Sequence, residues 1–161
     1  MTTVVSDTSP INYLILIEEI EVLPRLFDKV LIPPAVADEL RDPRTPQIVY
    51  DWIDALPHWT RIQGPNQVDR GIDLGRGETE AISMAIEPGI PAILIDEKRG
   101  RLAAKACGLI PVGTLNILNS ADLRGLLDFE QAVAKLCKTS FRADPKMVNS
   151  LIQEVRARKK A

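Results

Sequence analysis

The stretch TTVVSDTSPI, residues 2–11, holds the decision about the fold. Thr3–Ser6 is a short β-rich run of the kind that sits in a sheet covered on both faces. It gives out at an acid, Asp7. Two residues later Ser9-Pro10 offers a helix N-cap followed by proline at the first helical position. A buried strand that leads through a carboxylate into a helix is a building unit of parallel α/β sheets. What needs explaining is the carboxylate at the strand mouth.

The same alternation repeats along the chain. Strands are expected at Lys29–Ile32, Thr60–Gln63, Ala92–Ile95 and Ile110–Val112, with helices between them. Pro10–Ile17, Val22–Phe27, Pro34–Leu40, Pro46–Leu56, Gly77–Ile86 and Lys98–Ala106 read as helices, the last closed by Gly108. Thr114–Leu118, Glu130–Cys137 and Pro145–Arg158 follow. In the fourth helix Ile48, Val49, Trp52, Ile53 and Leu56 recur at helical spacing, a stripe expected to face the core. Gly64–Gly75 is rich in turn formers and reads as a surface loop. The expected architecture is a three-layer α/β/α sandwich around a central parallel sheet of about five strands. With 161 residues the chain suits one domain, 1–161, with a C-terminal helical extension from about residue 128.

Composition narrows the chemistry. Aromatic residues are only 4%, so the core must be aliphatic. No apolar run reaches the roughly 20 residues of a membrane span, and the N-terminus lacks a signal-like pattern; a cytoplasmic protein without membrane contact is expected. Cys107 and Cys137 have no metal-ligand spacing and read as reduced core residues. His58 is the single histidine, which excludes a histidine-rich zinc site. The net charge is −2, so nucleic-acid binding would have to rest on local clusters: Lys98, Arg99, Arg101 and Lys105, or the terminal Arg156, Arg158, Lys159 and Lys160. The terminal run reads as a solvated helix end.

In open parallel sheets, sites form outside the carboxyl ends of the strands. Asp7 and Asp96 follow strands, Glu97 is next to Asp96, Glu78 lies in a first helical turn, and Glu39 sits in the helix after the second strand. Each has a plain structural reading, as a cap for Asp7 and Asp96, as a dipole partner for Glu78 and Glu80, or as an exposed helical residue for Glu39. Together they crowd negative charge, which is unfavourable unless a cation sits among them. Oxygen-only ligands favour Mg2+ or Mn2+. Such a cluster suits phosphodiester hydrolysis without a histidine or a covalent nucleophile, and Lys98, Arg99 and Arg101 are placed to contact phosphates.

Five blocks carry a family likeness: VVSDTSPINYLILI (4–17), VLIPPAVADEL (30–40), LGRGETEAISMA (74–85), AILIDEKRGRLAAKACGL (92–109) and PVGTLNIL (111–118). In order and spacing they resemble the PIN-domain superfamily, and within it a prokaryotic group of unassigned function related to toxin ribonucleases. The resemblance runs from about Val4 to Leu127. It implies a magnesium- or manganese-dependent endoribonuclease acting on RNA; a large share of such proteins are toxins of toxin–antitoxin pairs, usually a homodimer inhibited by a small antitoxin protein. Carried over by position, the four acids, catalytic and metal-binding, are Asp7, Glu39, Glu78 and Asp96, with Glu80 competing for the third place, and Ser9 matches the small polar residue near the substrate. Many relatives have Asp in the third place and a second Asp with an aromatic after the fourth; this chain has Glu78 and Asp96-Glu97-Lys98-Arg99. The alternative is a catalytically weak PIN-like module that binds RNA or protein. A phosphatase with a strand-end Asp nucleophile would want a second Asp where Ser9 stands.

Overall fold

The computed structural model describes residues 2–69 and 71–161. Strands β1 (Thr3–Ser6), β2 (Lys29–Ile32), β3 (Thr60–Ile62), β4 (Ala92–Leu94) and β5 (Ile110–Val112) form one sheet. All pair in parallel, in the order β3-β2-β1-β4-β5. The helices are α1 (Thr8–Leu16), α2 (Leu23–Leu26), α3 (Pro34–Leu40), α4 (Gln47–Asp54), α5 (Arg76–Ile86), α6 (Lys98–Ala106), α7 (Thr114–Leu123), α8 (Phe129–Leu136) and α9 (Pro145–Lys160), with a 3-10 turn at Ile20–Val22. The expected strands are all present, with β3 and β4 each one residue shorter. Gln63 and Ile95 still donate to neighbouring strands, at 3.0 and 2.9 Å.

Side-chain alternation along each strand divides the core into two layers. Val4, Val30, Ile32 and Leu94 face a large cluster that includes Leu14 of α1, Leu118 of α7 and Phe129 of α8. Val5, Leu31, Ile93 and Ile95 face the opposite way, onto Ala81, Ile82 and Ala85 of α5 and Ala104 of α6. Both faces are covered, which is why the strands read as continuous apolar runs. The result is the three-layer α/β/α sandwich. Among the described residues no helix is long and apolar enough to cross a membrane.

Several local expectations are corrected. Helix α1 starts at Thr8, so Asp7 holds the N-cap position and Ser9 lies inside the helix. The chain turns this early because the Asp7 amide continues the β1–β4 ladder, donating to the Leu94 carbonyl at 2.8 Å. Cys107 and Cys137 are exposed rather than in the core. Both are C-cap residues, of α6 and α8, where the chain leaves the packed layer. In α4 the buried face is narrower than the stripe suggested: Val49 and Ile53 are buried while Ile48 is 50% exposed. Gly108 does close α6, with φ +80°. Among its described residues, 64–75 contains no helix or strand.

The basic C-terminus is fastened to the fold. Asp122 is 8% exposed and accepts from the Phe129 amide, Arg158 and Lys159 at 2.8, 2.9 and 2.8 Å. Burial pushes its carboxyl up, but Lys159, the Phe129 amide and Arg158 outweigh this and hold it below its ordinary value. Arg156 reaches Glu130 of α8 at 2.7 Å.

Candidate functional site

The strand order reverses direction between β1 and β4, so the crevice outside their carboxyl ends is the switch point where α/β sheets bind ligands. Asp7 ends β1 on one side of that crevice. Asp96 stands two residues beyond β4 on the other. Helix α5 crosses from β3 to β4 and brings Glu78, in its first turn, over the same edge. Helix α3, packed against α5, supplies Glu39 from the rim.

Each acid is positioned differently. Asp7 is 5% exposed. Burial, then the charges of Glu39, Asp96 and Glu97, push its pKa up to about 7 against the pull of the Thr8 amide. Glu78 is also pushed up to about 7, by burial first and then by Asp7, Glu97 and Glu39. Its Oε2 is buried and accepts no hydrogen bond. Asp96 is raised by burial but held by Thr114, whose amide and hydroxyl each donate to it at 2.7 Å, and by the nearby Arg101 guanidinium. Thus Asp96 braces the start of α7 and does not cap α6, where Glu97 takes the N-cap position. Glu39 is exposed and accepts from the Thr8 hydroxyl.

Three glycines lie close to these carboxylates, Gly100 also packing against Ile95 and Gly113 against Arg101. A methyl group on Gly77 would stand 2.5 Å from Glu39 Oε1, one on Gly100 3.0 Å from Glu78 Oε2, and one on Gly113 3.2 Å from Asp96 Oδ1. Glu80 is occupied elsewhere. It accepts from the Ala35 amide at 3.0 Å at the start of α3 and meets Arg76 at 3.4 Å. That arrangement leaves Glu78, not Glu80, among the other acids.

The donor set fits a hard divalent cation. All the groups are carboxylate oxygens, two have pKa values raised by crowding and burial, and one buried oxygen is unsatisfied. Among the described residues, however, no three His, Cys, Asp or Glu side chains converge closely enough to enclose an ion. Thr8 and Thr114 engage Glu39 and Asp96 with hydrogen bonds of their own. Mg2+ commonly keeps several waters and takes one or two carboxylates directly, which Asp7 and Glu78 are placed to supply.

The cations divide between two sides. Ser9, Lys98 and Arg101 border a groove that opens beside Asp96. Arg101 donates to the Ile95 carbonyl at 3.2 Å. Arg99 points away and bonds the Asp73 carbonyl at 3.2 Å, so it is not grouped with the others. Sequence reasoning passed over Thr8, Thr114 and the three glycines. A threonine opening a helix after a strand-end acid is a signal for the first, but nothing local links Thr114 to Asp96.

A profile of the PIN-domain family matches residues 3–157. The chain belongs to that family, whose fold is of the nuclease type and whose members generally use divalent metals. No curated protein and no solved structure matches the chain.

Proposed function

We propose that the chain is a Mg2+- or Mn2+-dependent endoribonuclease that hydrolyses RNA phosphodiester bonds. The observation that carries this reading is the buried, unsatisfied Glu78 Oε2 near Asp7 at the switch point. In this reading Asp7 and Glu78 hold the cation directly, and Glu39 and Asp96 complete its surroundings through water or orient that water. The chemistry a bound divalent cation supplies is water activation and neutralisation of charge at the phosphate. Thr114 and Arg101 fix Asp96, Thr8 fixes Glu39, and the apolar strand ends beneath exclude bulk water. Lys98 and Arg101 contact substrate phosphates, and Ser9 lies at the same margin. The proposal extends to a cytoplasmic toxin acting as a homodimer and held by a small antitoxin protein.

One observation favours a second reading, a PIN-like module that binds RNA or protein without cutting it: among the described residues, three ligating side chains do not converge. Manganese titration by calorimetry, into metal-stripped protein and into Asp96→Asn, separates the two. Asn keeps both Thr114 contacts, because the hydroxyl can accept where it donated, so the variant should fold. Binding by the parent, clear loss in the variant and metal-dependent RNA cleavage support the nuclease. No binding by the parent sinks it and leaves the binding module.

A further inference from the structure

Beside the acids the surface opens into a groove of about 660 Å³, between α6 and the segment running from Phe141 into α9. Asp96 and Glu97 form its acidic end. Lys98, Arg101 and Lys105 line one wall, spaced by three and four residues and so on one helix face. Arg142 lines the opposite wall. None of these four makes an ion pair among the described residues, whereas Arg99 on the far side of α6 meets Asp73 and Arg76 meets Asp38 and Glu80. Among the described residues Lys98, Lys105 and Arg142 thus have no ion-pair partner, while Arg101 lies near Asp96 and Asp144 adds a further carboxylate to the lining.

Aromatic and apolar side chains also line the groove. Tyr13 and Phe141 meet edge to face with ring centroids 5.1 Å apart, and the Tyr13 hydroxyl lies 3.1 Å from the Ser140 hydroxyl. Leu102 is 57% and Met147 48% exposed in the same groove. Unpaired cations alone would suit any polyanion. Cations interleaved with aromatic and apolar faces suit a polyanion that also carries flat bases, as single-stranded nucleic acid does. A duplex buries those faces in its own stack, and an acidic peptide lacks them.

We infer that this groove is the track along which single-stranded RNA reaches the acids, with phosphates on Lys98, Lys105 and Arg142 and a base seated against Phe141 and Tyr13. The inference rests on the nuclease reading for the direction in which the strand is presented. Its binding test does not depend on that reading.

The test is fluorescence anisotropy with the full chain and a labelled single-stranded RNA of about twelve nucleotides, in chelator, across a range of salt. The parent should bind, with an affinity that falls steeply as salt rises. Lys105→Glu, at an exposed position that folding does not need, should weaken binding about tenfold and reduce the log–log salt slope by about 0.7 or more. Phe141→Leu keeps an apolar contact against Tyr13 but removes the ring; it should weaken binding about tenfold with the slope unchanged. Parent binding that neither variant alters overturns the track, as does no parent binding at all. Equal competition by poly-glutamate also overturns it, in favour of an acidic protein partner. The two readings fail separately. A chain that binds manganese but shows no groove effect keeps the nuclease and loses the track; one that loses RNA through these variants but takes no manganese does the reverse.

Discussion

Replacing Asp7 with Asn should stabilise the metal-free protein and silence its response to manganese. The Asp7 carboxyl goes from an ordinary 3.8 to about 7 on folding, chiefly through burial and then through its acidic neighbours. The native state therefore binds the proton more tightly than the unfolded chain, so stability falls as pH rises between about 4 and about 7. Going from 3.8 to about 7 corresponds to ~4 kcal/mol at full ionisation. The neighbours relax when Asp7 becomes neutral, and the new amide needs an acceptor of its own, so a net gain of ~2 kcal/mol at about pH 8 is the working figure. For a domain of this length that is a rise in Tm of roughly 4–8 °C. Near pH 4 the carboxyl is already protonated in the native state and half protonated in the unfolded chain, so the gain should shrink to a few tenths of a kcal/mol. Thermal unfolding followed by circular dichroism at both pH values, with chelator and with manganese at about a hundredfold excess over Kd, measures all of this. The parent should gain about 2.7 kcal/mol from manganese and the variant almost nothing. A variant no more stable than the parent at the higher pH, or one that keeps the full manganese shift, would refute the reasoning.

Gly77→Ala should leave the fold intact, since alanine suits a helix, yet displace Glu39, whose Oε1 would lie 2.5 Å from the new methyl; manganese affinity by calorimetry should drop about tenfold. Asp122→Ala should cost about 2–3 kcal/mol in urea unfolding, because three donors lose one buried acceptor, softened by the partial exposure of Arg158 and Lys159. The Asp122 carboxyl is held below its ordinary value, so its stabilisation is present above the unfolded pKa and lost as pH falls through the folded one; the parent–variant gap should close in acid.

How much of this was legible depends on range. The strands were readable because β1, β2 and β4 are short runs largely buried on both faces and β5, though more exposed at the sheet edge, is also apolar, and α3 and α9 because proline marks their first turns. The acids stood out because strand ends and first turns are local features. The pairing of Thr114 with Asp96 spans 18 residues and depends on β4 and β5 lying side by side, which no periodicity encodes. The capture of Glu80 by the Ala35 amide depends likewise on α5 crossing α3. Cys107 and Cys137 misled because cysteine is usually buried, while their exposure follows from the helix ends they occupy. Phe141 and Arg142 lie between helices, where the chain is aperiodic, so their share in the groove wall appears only in three dimensions.

The fastening of α9 has a mechanical consequence. Its first turns carry Met147 and Leu151 to the groove, and its last turn is pinned on Asp122 by Arg158 and Lys159. Sixteen residues of helix make a lever about 24 Å long, with Val155 bedded in the core near the pinned end as its fulcrum. Asp122 thus helps hold the last helix, and with it the Met147 and Leu151 side of the groove, against the body of the domain.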